Sequence, residues 1–225
     1  MLAVFQSIRD GAGCTTIAAS VSWHLSRFRP KVLAVAVPHA AESFRSIFNI
    51  PDNLQDQTET IWSYGERLVL VCPTQSEFAF SPQAVESLIA TAADKAFSDI
   101  IVDMGRDQGA QADCWRSRAD VVITVCEADH NTLMRLSKMS PADNEFVLIN
   151  KADGGSEASR TALRCIRQLP LLAGKVLSLV VPRDELAAQA AFMNGPVAQL
   201  ACYAESARVM SALGTWLTVN ARTCG

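Results

Sequence analysis

LAVFQSIRDGAGCTT, residues Leu2 to Thr16, runs a short apolar stretch into a glycine-rich turn and then into a segment of helical period. That order is the one a phosphate-binding loop requires. Backbone N–H groups of such a turn, and of the helix start behind it, converge on an anion, and the helix dipole favours the negative charge. Gly11 and Gly13 let the backbone approach closely, and the Thr15 hydroxyl is placed to hold Mg²⁺. Two departures from the standard loop stand out: Ile8 occupies the place of its first glycine, and Cys14 that of the lysine before Thr15. On its own the stretch is either a phosphate site or a plain strand-to-helix turn.

Working outward, β-branched apolar runs alternate with longer segments of helical period, the mark of a parallel sheet covered on both faces. The expected strands are Leu2 to Ser7, Lys31 to Val37, Arg67 to Cys72, Asp99 to Met104, Asp120 to Cys126, Glu145 to Asn150 and Lys175 to Val181. Helices are expected at Thr15 to Phe28, Pro82 to Ala96, Asn131 to Met139, Glu157 to Gln168, Asp184 to Met193 and Ala204 to Val219. Ser81-Pro82 is a good helix start, a capping residue followed by proline. The stretch from Ala40 to Gly65, polar in its middle, reads as a mobile excursion between the second and third strands. At 225 residues the expectation is one α/β domain spanning 1–225.

Composition narrows the function classes. A net charge of −3 argues against a nucleic-acid or anionic-membrane partner for the protein as a whole. The first residues have no basic n-region, and Gln6, Arg9 and Asp10 interrupt the apolar start, which argues against a secretory signal. No run of about 18 apolar residues reads as a membrane span. The seven cysteines are scattered without a CxxC pair and read as reduced, mostly buried thiols, and His24, His39 and His130 stand alone, so no metal cluster is expected.

DIIVDM ends in Asp103, either the carboxylate that a phosphate-loop protein places near Mg²⁺ or a strand-end group capping a turn. Further along, VLINKAD carries Asn150 and VVPRDELAAQAAFMNGPVAQL carries Pro182 and Asp184. With RDGAGCTT, these segments resemble the ParA/MinD class of P-loop NTPases, whose loop reads KGGxGKTT, and the likeness spans Ser7 to about Leu200. Within that class the chain resembles the BcsQ family of bacterial cellulose biosynthesis. The residues that carry this closer likeness are Arg9, the missing loop lysine, Arg106-Asp107, Arg183-Asp184-Glu185, SFRSIFNI (Ser43 to Ile50) and EADHNTLMRL (Glu127 to Leu136).

The resemblance implies a mostly parallel sheet of seven or eight strands and a site for ATP with Mg²⁺. Arg9, Gly11, Gly13, Thr15 and Thr16 would face the phosphates, Thr15 and Asp103 the metal, and Asn150, Pro182 and Asp184 the base and ribose. It also implies a homodimer, with Arg9 at the place of a lysine that reaches across the interface. BcsR and BcsE would be partners, and the location cytoplasmic, with recruitment to an inner-membrane secretion complex. Direct membrane insertion is not expected.

The departures bear on chemistry. Arg9 is permanently charged and forks onto phosphate oxygens, so it is either the trans clamp or a surface arginine. Cys14 brings no charge and is either a small neutral replacement or a thiol activated by the helix start. The class places a water-orienting aspartate shortly after the second strand, yet VAVPHAAESF has none and Glu42 is the one carboxylate between Lys31 and Pro51. Asp107 either substitutes or pairs locally with Arg106. Weak or absent hydrolysis is expected, so a degenerate ATPase acting as a dimeric scaffold leads. The alternative is an active ATPase for positioning or DNA partitioning. Arg160, Arg164 and Arg167 share a helix face, either as a phosphate-binding stripe or as a solvated surface. The last apolar-periodic segment, with Val209, Leu213, Trp216 and Leu217, reads as packing on the sheet rather than on lipid.

Overall fold

Strands apolar on both faces are satisfied only inside a sheet that is covered twice. The computed structural model, which describes residues 1–50, 59–73, 81–106 and 109–221, has that arrangement. The strands are β1 (Leu2–Ser7), β2 (Val32–Ala36), β3 (Glu59–Tyr64), β4 (Leu68–Pro73), β5 (Asp99–Asp103), β6 (Val121–Glu127), β7 (Glu145–Ala152) and β8 (Val176–Pro182). They lie in the order β3-β4-β2-β5-β1-β6-β7-β8. All neighbours are parallel except β3, which runs antiparallel to β4. Every residue of β1, β2 and β5 is buried, which requires cover on both faces.

The helices are α1 (Cys14–Ser26), α2 (Pro38–Ile47), α3 (Pro82–Asp94), α4 (Ala110–Arg118), α5 (His130–Leu136), α6 (Glu157–Arg167), α7 (Glu185–Phe192), α8 (Val197–Leu200) and α9 (Glu205–Asn220). Ser81 caps α3 as its sequence promises, accepting the Ala84 N–H at 3.2 Å. Asp129 does the same for α5, with Thr132 N at 2.8 Å.

The stretch Ala40 to Gly65 corrects the sequence reading. It is not a plain excursion: Pro38 opens α2 directly after β2, and Ala40, Ala41 and Phe44 form its buried face. Later ETIWSY pairs residue for residue with β4 and adds an eighth strand. The polar residues 51–58 between them, which obscured both, lie outside the described residues. Helix α4, strongly polar apart from a fully buried Trp115, was also not expected.

The final helix packs inward. Met210, Leu213 and Leu217 of α9 are buried, α9 lies against α1 and β8, and Trp216 meets Phe146 edge-on at 5.0 Å between ring centres. Gly214 is needed there, because a side chain would begin 2.8 Å from the His24 ring. His24 is half-buried, its Nε2 lacks a partner among the described residues, and burial pushes its pKa below the usual histidine range. A depressed histidine contributes stability that is present above its unfolded pKa and lost as pH falls through the folded one. Stability measured by urea unfolding is therefore expected to drop as pH falls below about 6.5, and His24→Gln should flatten that part of the profile. An unchanged profile would remove His24 as the cause.

Candidate phosphate and nucleotide site

The strand order reverses around β1, which has β5 on one side and β6 on the other. In open α/β sheets ligands settle at the carboxyl ends of strands at such a point. The loop after β1 sits there, and two cavities adjoin it. One, of about 940 Å³, is lined by the loop from Asp10 to Thr16, by His39, Glu42 and Ser46 of α2, and by Gly105, Arg106 and Lys151. The other, of about 350 Å³, is lined by Asn150, Pro182 and Asp184 together with Ala187 and Met210. Both share Gly13, Thr16, Lys151 and Ala191, so they form one continuous cleft.

Gly11 and Gly13 both have positive φ, 75° and 85°, a region that costs a side-chain-bearing residue about 1–2 kcal/mol. Helix α1 starts at Gly13 without any side-chain cap, and its first N–H groups have no partner among the described residues. Uncapped donors at a helix start beside a cavity are what an anion needs.

Asp103 is fully buried at the end of β5. Burial raises its pKa, while the Thr15 hydroxyl, the Gly105 N–H and the Cys14 thiol pull the other way. Oδ1 accepts from Gly105 at 3.0 Å and from Cys14 at 3.4 Å, and Oδ2 is a buried acceptor without a hydrogen-bond partner among the described residues. An orphaned carboxylate oxygen beside a threonine hydroxyl fits a hard cation such as Mg²⁺. Asp103→Asn is accordingly expected to remove the Mg²⁺ dependence of nucleotide binding while raising the melting temperature of the ligand-free protein. A lowered melting temperature with unchanged Mg²⁺ dependence would reverse the assignment.

Cys14 settles as a small neutral residue. Burial and the neighbouring Asp103 push its thiol well above the usual range, which counts against the activated-thiol alternative. Arg9 lies outside both cavities, its guanidinium held by Glu127 at 2.5 Å and Asp129 at 2.7 Å. Asp184 caps α7 through Leu186 N at 2.9 Å and anchors the start of α9 through Ser206 Oγ at 2.9 Å. Desolvation pushes its carboxyl up, but these hydrogen bonds outweigh that and hold it below the usual carboxylate range. Asp107 lies outside the described residues, and Arg106 pairs with Asp10 at 3.0 Å. Arg160, Arg164 and Arg167 are exposed on α6 and line neither part of the cleft.

Lys151 was not singled out by the sequence. It has a φ of +51°, its amine bonds to the Gly11 carbonyl and to Glu127 at 3.0 Å, and it lines both parts of the cleft. Beside it the Asn150 amide donates to the Ala12 carbonyl at 2.7 Å, and Arg135 of α5 donates to the Ile8 carbonyl at 2.8 Å. Three carbonyls of the loop are thus held by side chains from elsewhere. Only the position after Asn150 hinted at this, since the reach of a lysine across a loop is a tertiary fact.

Among solved structures, a ParA family ATPase from Chlorobium tepidum TLS superposes with a TM-score of 0.73 at 19% identity, covering 95% of this chain and 98% of that one. MinD complexed with Mg-ADP from Pyrococcus horikoshii OT3 gives 0.68 at 17% identity, covering 100% and 99%. These likenesses establish a ParA/MinD-type P-loop fold. The Escherichia coli (strain K12) cellulose biosynthesis protein BcsQ is 25% identical over 238 residues, 96% of this chain and 93% of that protein. The family model for "Cellulose biosynthesis protein BcsQ" matches residues 61–218, more than half of the sequence, and the chain therefore belongs to that family.

Proposed function

We propose that this chain is an accessory, regulatory protein of bacterial cellulose biosynthesis that binds MgATP and turns it over slowly or not at all. The observation that carries the reading is the continuous cleft, a phosphate cavity of about 940 Å³ with uncapped α1 donors opening into a pocket of about 350 Å³ beside Asn150 and Pro182. In this reading Gly11, Gly13, Thr15 and Thr16 receive the phosphates, Thr15 and Asp103 hold Mg²⁺, and Asn150, Pro182 and Asp184 border the base and ribose. Among the described residues, Asp10 and Glu42 are the carboxylates lining the phosphate cavity, and neither is fixed by a neighbour that would aim it at a water. Asp10 is occupied by Arg106. That supports weak hydrolysis, because the attacking water needs an oriented partner.

The protein acts as a homodimeric scaffold in the cytoplasm, recruited to an inner-membrane secretion complex through partners such as BcsR and BcsE. No described helix is long and apolar enough to cross a membrane. Arg9 clamps phosphate only by leaving Glu127 and Asp129 for a second copy's site. Arg9→Ala should therefore remove ATP-linked dimerisation in sedimentation runs yet leave ATP binding by a single copy, and loss of neither would exclude Arg9 as a clamp.

The deciding experiment is calorimetric titration of MgATP into purified protein, paired with steady-state phosphate release. Binding with negligible release supports the proposal. Rapid release abolished by Asp103→Ala would favour an active ATPase, and absence of binding would leave a nucleotide-independent scaffold.

A further inference from the structure

The cleft poses a charge problem. Nucleotide phosphates carry several negative charges, Cys14 contributes none, and Arg9 is held outside the cavity by two carboxylates. Among the described residues that line the phosphate cavity, the lysines and arginines are Arg106 and Lys151. Arg106 is largely exposed and paired with the equally exposed Asp10.

We infer that Lys151 is the resident cation of this phosphate site: reaching from β7, it supplies in cis the charge that the loop lacks at Cys14 and, with Asn150, holds the loop open to phosphate. The inference rests on the nucleotide-binding reading above and deepens it.

Two features of the loop carry the argument. In a trans peptide the carbonyl of one residue and the N–H of the next point in opposite directions. Lys151 fixes the Gly11 carbonyl, and Asn150 the Ala12 carbonyl, so the N–H groups of Ala12 and Gly13 are turned away from β7. The two consecutive side chains thereby set the orientation of two consecutive peptides. The lysine stem also crosses the loop closely, its Cε lying 3.8 Å from where a Gly13 side chain would begin.

Lys151 keeps the freedom to serve a ligand. Its side chain is 45% exposed, and its carboxylate partner Glu127 also engages Arg9, so the ammonium is not committed to a buried pair. A point charge on a flexible stem can leave a carbonyl for a phosphate oxygen that enters the cavity it lines. The loop lysine of standard sites acts from inside the loop, whereas this cation arrives from β7, two strands from β1 in the sheet.

The test uses MgATP and inorganic pyrophosphate, the second probe lacking any base, titrated into the wild type, Lys151→Met, and Lys151→Met combined with Cys14→Lys. Methionine keeps the stem and removes the charge. Lys151→Met is expected to weaken both probes by roughly tenfold or more, with an unchanged melting temperature, and the added Cys14→Lys to restore most of the loss. Hydrogen exchange of amides 12–16 in the ligand-free protein should accelerate in Lys151→Met. Equal affinity of wild type and Lys151→Met for both probes would overturn the cation role, as would a loss that Cys14→Lys does not repair. Unchanged exchange would overturn the loop-holding role. If the wild type binds neither probe, the nucleotide reading and the cation role fail together, and the exchange result still decides whether Lys151 holds the loop.

Discussion

Gly13→Ala is expected to abolish MgATP binding and to cost the fold roughly 2–3 kcal/mol. Its φ of 85° is unfavourable for any residue with a side chain, worth about 1–2 kcal/mol. The new methyl group would also collide with the Asn150 amide nitrogen, which is buried and bonded to the Ala12 carbonyl. Displacing that amide forfeits about 1 kcal/mol of hydrogen bonding and releases the loop from β7. Urea unfolding measures the first effect and calorimetric titration the second. A variant as stable as wild type that still binds MgATP would show that the loop has another conformation available.

Arg29→Ala should have an even larger effect on stability and almost none on the site. Asp99 opens β5 with a side chain of 0% exposure, and Arg29 answers it with Nε at 2.6 Å and Nη2 at 3.3 Å. Ser98 Oγ adds a third hydrogen bond at 2.7 Å. Removing one member of a buried pair leaves an uncompensated charge, a loss of about 3–5 kcal/mol, against a total stability of about 5–15 kcal/mol for a domain. The companion substitution Asp99→Asn should recover most of that loss. Because Asp99 lies at the opposite end of β5 from Asp103, nucleotide affinity per folded molecule should not change. A change in affinity, or a double variant no more stable than Arg29→Ala, would sink this account.

The two residues differ in how well the sequence announced them. Gly13 sits in a local pattern whose geometry depends on neighbours in the chain, so strand, turn and helix were all legible from LAVFQSIRDGAGCTT. The inner strands were legible for a similar reason, since a run buried on both faces needs no partner to reveal it, and β8, at the edge opposite β3, was legible because its run VLSLVVP is apolar apart from Ser178. Strand β3 was not, because an edge strand follows a half-exposed pattern, with Ile61 largely exposed, and a polar tract precedes it. Helix α4 hides for the same cause, its one large apolar anchor being Trp115.

In the site, Gly11, Thr15, Thr16, Asn150, Pro182 and Asp184 do gather on one cleft. What the sequence could not show is which groups are already engaged. Arg9 read as either a trans clamp or a surface arginine and is bound by Glu127 and Asp129, while Lys151, which the sequence did not single out, reaches the loop. Both facts arise from side chains that are more than a hundred residues apart.

The anchoring of the loop has a consequence for communication across the molecule. Ile8 is gripped by Arg135 of α5, Gly11 and Ala12 by β7, and Arg9 by Asp129, which also caps α5. Any movement of the loop upon ligand entry is therefore felt at the β6–α5 turn and along α5. Thermodynamic linkage makes such coupling reciprocal, so a protein that grips α5 and favours one loop position changes nucleotide affinity by the same factor that nucleotide changes the protein's own affinity. Even a site without turnover would in this way report its occupancy to a partner seated on α5.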